Sequence, residues 1–122
     1  MRIAAIACLL SFAAGAVACG ASFPPPNDEW AAAQADVGRA EAGGAPAVPN
    51  AKLHLQLAQE DLTKSKPLID NDNKRATDLI AVARVEAQLA LSLSKQQIAQ
   101  DQAQKAQDEL AKAKGAAGVV AQ

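Results

Sequence analysis

Aromatic residues are almost missing from this chain: Phe12, Phe23 and Trp30 are all there are, with no Tyr. Half of the residues are nevertheless apolar, and Ala is the commonest of them. Ala buries little area per residue, so a deep globular core is not expected. Close helix–helix contact is the better use of such small side chains. Basic excess is missing too. The net charge is −1, and removing residues 1–18 takes away only Arg2, leaving the remainder one unit more acidic. With neither a basic surface nor aromatic platforms for stacked bases, nucleic-acid binding is not expected. Histidine is reduced to His54 and cysteine to Cys8 and Cys19. Glycine and proline are absent from residues 73–114, a stretch dense in Ala, Gln, Lys, Leu and Glu. These side chains lose little rotamer freedom in a helix, so the stretch predicts one long helix of about 60 Å.

The N-terminus reads as an address. After Arg2 comes an apolar run over residues 3–18, short for a bilayer span of about 20 residues and suited to a secretory signal. Its end, Ala16, Val17, Ala18 and Cys19, supports two readings. As an Ala-x-Ala site it is cut after Ala18, freeing an N-terminal Cys19. As a lipobox, resembling that of bacterial lipoproteins but with Ala16 where Leu is usual, it has Cys19 acylated before cleavage at the same bond. Cys19 is the single cysteine of the mature chain, without a disulfide partner in an oxidising compartment. Acylation, such as palmitoylation, gives that thiol a purpose, and Cys19 is the candidate lipidation site. Residues 19–27 then form a tether in which Pro24, Pro25 and Pro26 favour polyproline II. Gly20 after the lipidated cysteine resembles the outer-membrane class of lipoproteins.

Residues 28–114 predict the helical domain and residues 115–122 a flexible tail. Asn27 is expected to cap the first helix with its side chain, ahead of Asp28 and Glu29. Trp30, Ala33, Val37 and Ala40 make its apolar stripe, Gly43 and Gly44 end it, and Pro49 opens a second helix. Ala51, Leu55, Ala58, Leu62, Ser65 and Ile69 alternate by 4 and 3, as do Ala76, Ile80, Ala83, Ala87, Ala90 and Ser94 in the long helix. The segment Asp70, Asn71, Asp72, Asn73 has turn chemistry and ends in a helix cap. Folded back around it, residues whose numbers sum to 145 lie level, large mostly opposite small. Pro67 is the defect, because it lacks a donor and strains Lys66. Leu53, Leu57, Leu89 and Leu93 form a second stripe at one level, which the first helix is expected to cover. The fold class is all-α: an antiparallel helical hairpin, a short third helix and a long, coiled-coil-like C-terminal helix.

The chain also resembles a family of uncharacterised bacterial envelope proteins, small Ala-rich helical lipoproteins known only as a domain of unknown function. The resemblance covers residues 30–114. It rests on Ala40, Glu41, Ala42, Gly43, Gly44 and Ala45 ending the first helix, Pro49 with Leu55, Ala58 and Leu62, and the acidic turn. In some relatives a similar domain precedes an OmpA-type peptidoglycan-binding domain. The sequence contains no such domain, so peptidoglycan binding is not implied, nor is any catalytic residue.

His54 has Ala58 four positions on, where a metal pair would want a ligand, and reads as a solvated helix residue. Asp70, Asn71 and Asp72 open like a calcium loop, but Lys74, Arg75 and Ala81 stand at later required positions. No metal, cofactor or catalytic set is expected. What is present is a stripe beyond Ser94: Ala99, Ala103, Ala106, Leu110 and Ala113, spaced 4, 3, 4, 3. It lies about 140° around the helix from the hairpin seam and is the candidate partner-binding surface. The expectation is a cell-envelope lipoprotein, facing the periplasm from the outer membrane more readily than the inner. It would be a non-catalytic structural or adaptor module binding an envelope protein or itself. The alternative is a carrier of a small apolar ligand or lipid between helices.

Overall fold

The chain folds as three helices, α1 (Asn27–Ala42), α2 (Pro49–Ser65) and α3 (Asn73–Val120), in a computed structural model that describes residues 23–120. The all-α expectation, with a long C-terminal helix against a hairpin partner, is what the structure shows. The α2–α3 contact is the largest in the molecule. Ala51, Leu55, Ala58, Leu62 and Ser65 of α2 are all buried, and so are Ala76, Ile80, Ala83, Ala87, Ala90 and Ser94 of α3. The alternation by 4 and 3 therefore marks one shared seam. Its two buried hydroxyls are satisfied: Ser65 donates to the Leu62 carbonyl at 2.8 Å, and Ser94 Oγ lies 2.9 Å from the Gly43 and Leu91 carbonyls.

Proline sets both ends of α2. Pro49 sits in the first turn, after an extended Val48. Pro67 stops the helix at Ser65, and Lys66–Leu68 tightens into a 3-10 turn. Ile69 is then extended and only half-buried, so it leaves the seam it was expected to continue. Asp70 takes the left-handed conformation at φ 72°. The cap of α3 is Asp72, whose Oδ1 accepts the Arg75 amide at 3.1 Å. Asn73 instead receives the Asp70 amide at 2.7 Å and donates to the Phe23 carbonyl at 2.8 Å, fastening the incoming chain to the start of α3.

Two expectations about helix ends are corrected. Asn27 makes no capping hydrogen bond; Pro26 precedes α1, and its carbonyl accepts the Trp30 amide at 3.0 Å. A side-chain cap gives way here to the fixed geometry of the prolines. Helix α3 does not stop at Lys114 but continues to Val120, giving 48 residues or about 72 Å. Gly115 and Gly118 lower helix propensity by about 1 kcal/mol each relative to Ala, and the helix nevertheless runs through both.

Helix α1 lies parallel to α3: Asp36 meets Arg84 and, further along, Gly43 meets Ser94. Ala33, Asp36, Val37 and Ala40 are its buried face. Helices α1 and α3 come close at Gly43, where a Cβ would stand 2.3 Å from Leu91 Cδ1 and would push that side chain aside. Gly44, at φ 89°, turns the chain toward α2.

Candidate interaction surface

Ala99, Ala103, Ala106, Leu110 and Ala113 are all exposed. From residue 99 to 116 every side chain of α3 is exposed, so neither α1 nor α2 reaches this part. The structure keeps the five together on one helix face and, among the described residues, packs no other helix on them. Cys19 lies outside the described residues.

The second stripe is placed differently from the expectation. Leu53, Leu57 and Leu89 are exposed, and Leu93 is half-buried, because α1 packs on the opposite flank of the seam. Matching the levels of two stripes fixes height along the bundle, not the side on which a third helix lies. Val82 and Val85 extend the exposed apolar group on α3. Beside it His54 Nδ1 sits 2.5 Å from Glu86 Oε2, a half-buried hydrogen bond between α2 and α3. His54 is thus an interhelical partner, not the solvated residue expected from its sequence neighbours.

What holds α1 in place was missed at the sequence level. Asp36 is buried, its carboxylate bonded to Arg39 of its own helix and, at 3.0 Å, to Arg84 Nε of α3. A carboxylate inside the stripe Ala33, Val37, Ala40, three residues before Arg39, was the available signal. Trp30 donates to the Leu62 carbonyl at 3.4 Å, and Lys66 Nζ stands 5.1 Å above its ring. Between α1 and α2 an open groove of about 480 Å³ is bounded by Trp30, Val37 and Leu62, with Gln34, Glu41, Gln59, Thr63 and Lys66 at its edges.

Among the described residues no three His, Cys, Asp or Glu side chains gather as for a metal ion. No described helix is long and apolar enough to cross a membrane. The sequence profile of a domain of unknown function, DUF4398, matches residues 28–106. The chain belongs to the DUF4398 family. The match takes in α1, α2 and most of α3, so the DUF4398 unit is the bundle together with the first part of the projecting helix. No curated protein and no solved structure matches the chain. DUF4398 membership thus supplies a shape and no activity.

Proposed function

We propose that this DUF4398 protein is a non-catalytic adaptor of the bacterial cell envelope, held on an acylated Cys19 and docking a partner through its helices. The observation that carries the docking part is the flank of α2 and α3 opposite α1. Leu53, Leu57, Val82, Val85 and Leu89 are exposed together on a bundle short of large apolar side chains. Exposed apolar side chains gathered on both helices, with the His54–Glu86 pair between them, are the kind of surface that a partner covers. The anchor part is supported by the apolar run ending at Cys19 and by that thiol having no partner in the mature chain. A carrier role would have to use the α1–α2 groove. That groove is open and edged by polar side chains, where a ligand site wants enclosing apolar walls.

Intact mass of the membrane-fraction protein should show a chain starting at Cys19 with added acyl groups. An unmodified Cys19, or Cys19→Ala leaving membrane attachment unchanged, overturns the anchor. For docking, a photo-crosslinking residue at Leu57 or Val85 in intact cells should give adducts of defined mass, with none from exposed Gln59, which lies on the α1 side of α2. Equal, diffuse labelling at all three positions overturns it.

A further inference from the structure

The exposed residues of α3 fall into one register that the bundle alone does not explain. Val82, Val85 and Leu89 are spaced 3 and 4, and the same alternation runs on through Ser92 and Gln96 to Ala99. There the stripe of Ala103, Ala106, Leu110 and Ala113 takes over without a break in step. The two apolar groups, separated in sequence by polar residues, are one heptad seam. It lies opposite the buried seam of the same helix, clear of both α1 and α2. Val85 is 64 % exposed and Leu110 55 %. A helix carrying one seam inward and another outward is built to be shared.

We infer that the occupant of this outer seam is a second copy of the chain, with its α3 antiparallel and the two-fold axis near Asp101. The inference rests on the docking reading above and names the partner. Steric fit is the first argument. With the axis there, Leu89 faces Ala113 of the second copy, Ser92 faces Leu110, Gln96 faces Ala106 and Ala99 faces Ala103, so in these layers each Leu meets a small residue. Charge is the second. The same register sets Lys95 beside Glu109 of the second copy and Glu86 beside Lys114, each twice by symmetry. Sliding by one heptad moves Lys95 onto Gln102 or Ala116 and parts Glu86 from Lys114. A parallel pair retains only Glu109 with Lys114 and stacks Leu110 on Leu110 and Gln96 on Gln96. Glu86 Oε2 is already met by His54, which leaves Oε1 for the second copy. In this arrangement the projecting part of each α3 lies along the uncovered face of the other bundle, so both unsupported helices gain a partner at once.

The test uses the purified full chain in density-matched detergent. Sedimentation equilibrium should give a dimer. Lys95→Glu should weaken it about tenfold, from two attractions lost and two repulsions gained, and adding Glu109→Lys should restore it. Residues 95 and 109 are about 21 Å apart along one helix, so rescue cannot be intramolecular. Oxidising a mixture of a Leu89→Cys chain and an Ala113→Cys chain should link 89 to 113, with the joined peptides identified by mass. Linkage of 89 to 89 shows a parallel pair and overturns the arrangement. A monomer at all concentrations overturns self-pairing, and if Val85 still crosslinks to a defined adduct in cells, the docking reading stands without it. A monomer with no such adduct defeats both.

Discussion

Asp36 offers the sharpest test of how the bundle is held. Its side chain is 2 % exposed and accepts from two guanidiniums, Arg39 within α1 and Arg84 across to α3. A hydrogen bond to a charged group contributes about 1.5–3 kcal/mol, so two intact ones would amount to several. Arg84 and Arg39 are 43 % and 66 % exposed, however, and both rehydrate once released. Solvent screening of that order roughly halves the loss, leaving about 2–3 kcal/mol for Asp36→Ala. On a domain of this size the midpoint of thermal unfolding should fall by about 10–20 °C. Trp30 is the single Trp and lies on α1, so its fluorescence follows the release of α1 while circular dichroism follows the helices together. Asp28→Ala, exposed in the first turn of the same helix, should stay within about 0.5 kcal/mol of the parent. The double variant with Arg84→Ala should recover about 1 kcal/mol of coupling. If Asp36→Ala and Asp28→Ala unfold alike, the carboxylate is not a clasp and α1 is held by Trp30 and its Ala contacts alone.

Two further expectations concern close packing. Ala83→Leu places extra methylenes in the buried seam and should lower stability by about 1–3 kcal/mol, whereas exposed Ala81→Leu should change it by less than about 0.5 in a urea titration. Gly43→Ala should destabilise by about 1 kcal/mol through the Leu91 clash, and a Leu91→Ala background should erase that difference; a penalty that persists there would place its cause in the backbone instead.

The buried seam was legible because it is periodic, and periodicity is a property of one helix at a time. Ala83 and Leu62 declare themselves by the residues three and four away on their own helices. Features that depend on which side a neighbour takes left no such trace. The flank chosen by α1 rests on Asp36 reaching Arg84, 48 residues on, and the pairing of His54 with Glu86 spans 32. Pro67 announced a break but not its outcome, since Ile69 could leave the seam only after the turn geometry was fixed. The stripe from Ala99 to Ala113 was visible, yet its continuation to Val82 became meaningful only once the structure showed that face of α3 to be bare. Function was least legible, because Ala, Gln and Lys at helical spacing specify a shape and no chemistry.

The parallel course of α1 and α3 has a mechanical consequence. The chain enters at Phe23, beside the first turn of α3, and α3 ends about 70 Å away at its other end. Tension between those two points would not peel α1 away one turn at a time. It would drag α1 lengthwise against α3, loading the Asp36–Arg84 bond, the Gly43–Ser94 bond and the Ala33–Ala40 face together in shear. Pulled from the opposite end of α1, the same contacts would open in sequence, each bearing the load alone. The direction in which the first helix runs thus makes this small bundle resist stretching along its own long axis better than its modest core would suggest.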